Sequence, residues 1–146
     1  MTYLSRSYFS EVHSVDSVDL NCFTIVYTGS LEGRNISPFL KALSLFNLNC
    51  KLQIELLIYG KLTSEQFQLV SQNPYAQYKG TLSFKETLAV YKTADALLYI
   101  GNPARSTQIP GKLFDYFGTE KLILALLESE NDDVAKFIKE SERCVC

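Results

Sequence analysis

Hydrophobic and polar positions along this chain change repeatedly from strand-like to helix-like spacing. Nearly continuous apolar and β-branched runs occupy residues 23–27, 52–59, 96–100 and 122–127, and each is followed by glycine or polar residues. Runs of this length without alternation are typical of strands that are covered on both faces. A further short strand is predicted at residues 77–80.

Between these runs, hydrophobic residues recur at the spacing of amphipathic helices. In the first predicted helix, Ser37 is the expected cap and Pro38 the first helical residue. Two capping boxes, at residues 63–66 and 83–86, open two more helices. The side chains predicted to face inward are Phe39, Leu40, Leu43, Phe46, Phe67, Val70, Phe84, Leu88, Tyr91, Leu113, Phe114, Phe117, Val134, Phe137 and Ile138.

Strands and helices therefore alternate from about residue 21 to the last residue, and this order predicts the fold class. It is typical of an α/β protein with a doubly wound, mainly parallel, Rossmann-like sheet and helices on both faces, in three α/β/α layers. Residues 1–20 show no sustained period and are interpreted as a linker or lead-in. Residues 144–146 resemble the opening of one more strand, so the domain at 21–146 is expected to be truncated at its carboxyl end.

Composition and charge exclude several classes of function. The 146 residues include 14 basic and 16 acidic side chains, for a net charge of −2, and the basic residues are scattered. This distribution argues against a nucleic-acid surface. The longest apolar run, at 122–127, is far shorter than the roughly 20 residues of a membrane helix. We therefore expect a cytoplasmic protein that does not insert directly into a membrane.

The cysteines and the histidine give little sign of a metal site or a catalytic triad. Cys22, Cys50, Cys144 and Cys146 lack the C-x-x-C spacing of zinc sites, and they are interpreted as small buried hydrophobic residues. The single histidine, His13, lies in a polar stretch without patterned carboxylates or serines. No metal and no cofactor are expected.

Three polar segments follow predicted strands, at residues 29–34, 80–83 and 101–111. The carboxyl ends of parallel strands share one edge of the sheet, so a single ligand could contact all three segments. The first offers Gly29 for close backbone approach and Arg34 for bidentate contact with a phosphate. It matches neither a G-x-G-x-x-G fingerprint nor a P-loop. A flavodoxin-like receiver domain is also disfavoured, because its paired acidic residues would follow the first strand.

The third segment runs into a short amphipathic helix entered through Pro110 and Gly111. Its first turn leaves backbone N–H groups unpaired, which suits a phosphate. Lys112 and Asp115 share one side of this helix, and they are predicted to point outward while the apolar side is buried. The alternative interpretation is an ordinary Lys/Asp pair on a solvated helix face.

Several motifs together resemble a known family in their order and spacing. They are VYTGSL (26–31), GRN (33–35), GTLS (80–83), YKTADALL (91–98), PGKLFDY (110–116) and KLILAL (121–126). Over residues 20–146 the chain resembles the C-terminal, donor-binding domain of group 1 retaining glycosyltransferases, which have two facing Rossmann-like domains.

This resemblance implies binding of a nucleotide-diphosphate sugar, with a role in polysaccharide or glycan biosynthesis. It assigns the diphosphate to Gly29, Ser30, Arg34, Gly111 and Lys112, the ribose to Asp115, and the base to Tyr78, Gly80 and Thr81. It assigns no catalytic residue. It also implies a missing N-terminal acceptor-binding domain, so these residues are expected to bind a nucleotide weakly and to transfer no sugar alone. By the same resemblance, a longer parent protein would act at the inner face of a membrane.

The chain departs from the family pattern at four positions. Where many members carry two glutamates, the second maps onto Asp115 and the first onto Thr107, and the usual arginine after the first glycine is Ser30. Leu122 stands where members often have a proline after the helix. These changes favour an alternative, a non-catalytic Rossmann-like domain that acts as an interaction scaffold. A third interpretation is a sugar-nucleotide epimerase, but its chemistry would require histidines and carboxylates in the cleft.

Overall fold

The computed structural model describes residues 22–101, 111–127, 133–140 and 144–145. The strands are β1 (Cys22–Thr28), β2 (Gln53–Tyr59), β3 (Ala76–Tyr78), β4 (Ala96–Ile100), β5 (Leu122–Leu126) and β6 (Cys144–Val145). The helices are α1 (Ser37–Asn49), α2 (Ser64–Gln72), α3 (Phe84–Thr93), α4 (Gly111–Phe117) and α5 (Asp133–Lys139). The predicted linker, His13, Thr107 and Cys146 lie outside the described residues.

The described strands form one sheet in the order β3-β2-β1-β4-β5-β6, and each neighbouring pair is parallel. From β1 in the middle of the sheet, the described chain runs to one edge at β3 and returns at β4 on the other side of β1. This order confirms the doubly wound Rossmann-like prediction. It also creates a switch point between β1 and β4, since the helices that follow these two strands pack on opposite faces of the sheet.

The core lies in two layers, one on each face of the sheet. Ile25 and Tyr27 pack with side chains of α1 and α2. Val26, between them in β1, packs with side chains of α3, α4 and α5 on the opposite face. This alternation follows from the two-residue period of a strand, and it explains why β1 is apolar on both faces. The three-layer prediction is therefore confirmed.

Several aromatic and leucine side chains that were predicted to face inward are exposed. The exposed fractions are 48% for Phe67, 74% for Phe84, 43% for Leu88 and 57% for Phe114. In α4 the fully buried side chains are instead Leu113 and Tyr116, three residues apart. Each helix touches the sheet along a stripe narrower than its apolar face, so hydrophobic residues at the border of that face stay in solvent.

The helix starts confirm the two predicted capping boxes but not the predicted cap of α1. Thr63 and Ser83 each accept from the backbone N–H three residues later, and the side chain at that position returns the bond. In α1 the capping residue is Ile36, which is buried, and Pro38 takes the second helical position. The Oδ1 atom of Asn35 accepts from the Ser37 N–H at 3.1 Å, so the polar group at the helix start comes from two residues earlier than predicted.

The cysteines whose exposure is described do not fit the prediction of buried hydrophobic residues. Cys22 is half-buried and Cys50, just after α1, is exposed. Cys50 follows the last turn of α1 and therefore lies beyond the stripe of that helix that covers the sheet.

Candidate functional site

A cavity of about 500 Å³ lies at the carboxyl ends of the strands, beside the switch point. Its lining includes residues from the ends of β1, β2 and β3 and from α3 and α4. They are Thr28, Gly29, Ser30, Tyr59, Gly60, Lys61, Thr81, Leu82, Thr87, Tyr91, Lys112 and Asp115. The structure thus brings the first two predicted loops together with the helix that follows the third. The segment that follows β2 was not predicted to take part.

Backbone hydrogen bonds hold these strand ends against one another. The Gly29 N–H donates to the Tyr59 carbonyl at 2.8 Å, and the Gly60 N–H donates to the Gly80 carbonyl at 2.9 Å. Gly60 has φ +133°, and a Cβ there would overlap the backbone carbonyl of Gly29. Only glycine permits this conformation and this close approach. The loops after β1, β2 and β3 therefore form a continuous rim.

Arg34 is tied to backbone carbonyls. Its Nε donates to the Ile100 carbonyl at 2.9 Å, and its Nη1 donates to the Ser30 carbonyl at 3.0 Å. The Ser30 carbonyl also accepts from the Tyr27 hydroxyl at 2.8 Å. Within the described part of the chain, Arg34 is not one of the side chains that line the cavity. It bridges the loop after β1 to the end of β4, a role that the sequence analysis did not predict.

Gln66 is a second residue that holds the loop after β1 in place, and the sequence did not predict this role. Its Oε1 accepts from the Thr63 N–H at 3.0 Å, as the capping box requires. Its Nε2 donates to the Leu31 carbonyl at 2.7 Å and to the Arg34 carbonyl at 3.1 Å. The first turn of α2 thereby fixes the loop after β1. In the sequence, this role is indicated only by the choice of glutamine, whose side chain has N–H donors.

Lys112 does not point outward as predicted. Its Nζ atom lies 4.1 Å from the centroid of the Tyr27 ring, in a cation–π contact. A Cβ on Gly29 would lie 2.6 Å from this Nζ, so the missing side chain at Gly29 leaves the space that the lysine occupies. Burial, and then the nearby Arg34 charge, lower the pKa of Lys112 to about 7. Burial also raises the pKa of Tyr27 to about 12.

Asp115 is exposed and lies on the cavity wall, one turn along α4 from Lys112. Behind it, the Tyr91 and Thr28 hydroxyls share a buried hydrogen bond of 2.8 Å. Burial raises the pKa of Tyr91, the hydrogen bond to Thr28 lowers it, and the Asp115 charge raises it. Tyr116 is fully buried beside Tyr91 and donates to the Leu98 carbonyl at 3.0 Å. These tyrosines pack α3 and α4 together and fix the direction of the helix that carries Asp115.

A second cavity, of about 400 Å³, adjoins the first and shares Gly60, Lys61 and Thr81 with it. Tyr78 lines this second cavity, and its hydroxyl donates to the Gly60 carbonyl at 2.8 Å. Two of the residues predicted to meet a base, Tyr78 and Thr81, therefore lie on it. Gly80 contributes its carbonyl to the rim. Within the described residues, Gly111 lines neither cavity.

The described ranges contain no group of three or more His, Cys, Asp and Glu side chains that could hold a metal ion. Nor does the described part of the chain include a helix that is long and apolar enough to cross a membrane.

Comparison of the chain with protein-family models and with curated protein sequences finds no match.

Proposed function

We propose that this domain binds a nucleotide-diphosphate sugar and forms the donor-binding half of a glycosyltransferase of polysaccharide or glycan biosynthesis. One observation carries the proposal: Lys112 and Asp115, one turn apart on α4, line the same cavity, opposite the glycine loops after β1 and β2. A cation and a carboxylate in one crevice suit a ligand that joins phosphates to a ribose. The resemblance described above supports the same conclusion.

In this proposal each part of the ligand meets a group of suitable chemistry. The diphosphate lies against Gly29, Ser30 and Lys112, where backbone approach and a cation stabilise its charge. The ribose hydroxyls donate to the Asp115 carboxylate, and the base lies toward the second cavity, beside Thr81. Transfer would be assisted by stabilising negative charge on the departing nucleoside diphosphate. The acceptor-binding domain is supplied by a separate part of the protein, so these residues alone do not transfer sugar.

Arg34 favours the second candidate function, a non-catalytic interaction domain. Two of its N–H groups are used by the Ile100 and Ser30 carbonyls, which leaves Lys112 and Lys61 as the cations among the described residues of the cavity wall. A site with fewer cations binds a diphosphate less tightly. The two candidates differ in whether any nucleotide sugar binds.

The test is isothermal titration calorimetry with UDP-glucose, GDP-mannose and ADP-glucose. We expect Asp115→Ala to weaken the binding of whichever ligand is accepted by about 1.5 to 3 kcal/mol, because a charged acceptor is lost. Glu120→Ala is the matched control, since Glu120 is exposed just beyond α4 and, among the described residues, is not part of either cavity lining. If none of the three ligands binds the unaltered chain, the scaffold candidate is favoured and the donor-site proposal is wrong.

A further inference from the structure

The Lys112 ammonium occupies an unusual position for a surface lysine. It lies over the Tyr27 ring and fills the space left open by Gly29. Within the described residues, no hydrogen bond or salt bridge joins it to an acceptor. A partly desolvated cation without a counterion is costly, and this cost favours the neutral amine.

The charged and titratable groups around Lys112 offset little of the cost of burying its charge. Tyr27 faces it from β1 and Arg34 from the loop after β1. Across the cavity are Tyr59 and Lys61 from the end of β2 and Tyr91 from α3, and Asp115 is on the same helix. Three basic side chains of the described chain therefore lie around this cavity, namely Lys112, Arg34 and Lys61. The one carboxylate among the described lining residues is exposed, so water screens its charge.

We propose that Lys112 takes up a proton when a diphosphate binds in this cavity, so that ligand binding is coupled to pH. The inference rests on the proposed function, because that function brings a diphosphate to the cavity. The bound phosphates supply the counterion that the empty cavity lacks. No covalent bond is made, and the proton comes from the buffer.

The linkage between proton binding and ligand binding fixes the direction and size of the pH dependence. With the pKa of Lys112 at about 7 in the empty site, about nine-tenths of the amine is neutral at pH 8. A bound diphosphate raises that pKa, so binding at pH 8 takes up about 0.9 proton, and binding at pH 5.5 takes up almost none. The association constant therefore falls as pH rises above about 7, by up to about tenfold per pH unit.

Calorimetry in two buffers of different ionisation enthalpy, HEPES and Tris at pH 8, measures the proton uptake. The three nucleotide sugars named above are suitable probes. Each is a sugar ester of a diphosphate, so its phosphates stay ionised between pH 5.5 and pH 8. We expect uptake of about 0.9 proton for the unaltered chain and almost none for Lys112→Arg, whose guanidinium is always charged. Lys85→Arg is the matched control, a change at an exposed lysine of α3 that, among the described residues, lines neither cavity, and it should retain the uptake.

A second measurement needs no ligand. Reductive methylation of the lysines with ¹³C-formaldehyde, followed by an NMR pH titration and assignment through Lys112→Arg, should show one signal that titrates near pH 7. A Lys112 signal that titrates with the other lysines overturns the inference. Ligand binding with equal proton uptake in Lys112→Arg overturns the coupling while the proposed function stands. Absence of binding by all three probes refutes the proposed function, and the coupling with it.

Discussion

At the scale of single residues, the candidate site depends on glycines, which leave space where a side chain would lie, as much as on the side chains that are present. Gly29 leaves room for the Lys112 amine, and Gly60 lets the end of β2 touch the Gly29 backbone. Because the Gly60 contact is with backbone atoms, it cannot be relieved by a change of rotamer. The two positions therefore differ in how much a methyl group would cost.

We expect Gly60→Ala to destabilise the domain by about 3 kcal/mol or more, because the new Cβ overlaps the Gly29 carbonyl in addition to the strain of a positive φ. Gly33→Ala is the control, since Gly33 also has positive φ, at +73°, but a Cβ there meets no atom of the described residues within 4 Å. It should cost about 1 kcal/mol. Urea denaturation measures both. Equal losses would show that the contact between the two loops contributes little.

Arg34 and Lys112 show which properties of a single residue the sequence can predict and which it cannot. The sequence predicted that both are cations near a phosphate site, and the structure places both beside the switch point between β1 and β4. The groups that these two side chains contact could not be predicted. The Ile100 carbonyl that accepts from Arg34 and the Tyr27 ring under Lys112 come from other strands, and their distances depend on the twist and register of the whole sheet.

At the scale of elements, α2 holds the loop after β1 in place. Gln66 closes the capping box of α2 with its Oε1 and uses its Nε2 to bind the Leu31 and Arg34 carbonyls. Either glutamine or glutamate completes a capping box, but only glutamine also offers donors. The second capping box, on α3, uses Glu86 at the equivalent position.

Gln66→Glu should therefore destabilise the domain by about 1 to 3 kcal/mol, because a carboxylate would face two carbonyl oxygens and the donor to both would be lost, leaving the Leu31 carbonyl only the Arg34 N–H. Glu86→Gln is the matched reverse substitution, in an exposed box, and should change stability little. Thermal unfolding compares the two, and hydrogen exchange at the Arg34 N–H should become faster only in Gln66→Glu. A loss of stability as large in Glu86→Gln would assign the effect to capping alone.

The positions of the elements were more predictable than their depth of burial. The apolar runs predicted β1, β2, β4 and β5, and the S/T-x-x-E/Q pattern predicted the starts of α2 and α3. In α3, however, Tyr91 is buried while Phe84 and Leu88 are exposed. Helical periodicity places all three on one face, but only the carboxyl-terminal turns of α3 pack on the sheet. Where a helix meets a sheet is decided by tertiary packing, which the spacing of residues does not contain.

At the scale of the whole molecule, the strand order places the candidate site where the two halves of the sheet diverge. The helices that follow β1 and β4, α1 and α4, pack on opposite faces of the sheet, and α4 lines one side of the cavity beside this switch point. Lys112 is the point where this arrangement conflicts with stability. Burial in an apolar setting disfavours its charge, whereas the proposed diphosphate ligand would favour it.

The cost of burying the Lys112 charge has a defined pH dependence. The pKa of Lys112 is about 7 in the folded chain and has its ordinary value of 10.5 when the chain unfolds. Between these values the unfolded chain binds the extra proton, so the contribution of Lys112 to stability rises with pH. Below about pH 7 both states are protonated, and the full cost of burying the charge is present.

Lys112→Met removes this charge and keeps a long apolar side chain over Tyr27. At pH 6.5 we expect it to increase the free energy of unfolding by about 1 to 3 kcal/mol. At pH 9 this gain should be smaller by about 2.5 kcal/mol, since each pH unit above 7 recovers about 1.4 kcal/mol for the unaltered chain. Guanidinium denaturation at the two pH values measures the difference. Lys85→Met, on an exposed position of α3, is the control and should show no gain at pH 6.5. A stabilisation by Lys112→Met that is the same at pH 6.5 and pH 9 would mean that Lys112 stays protonated in the empty cavity.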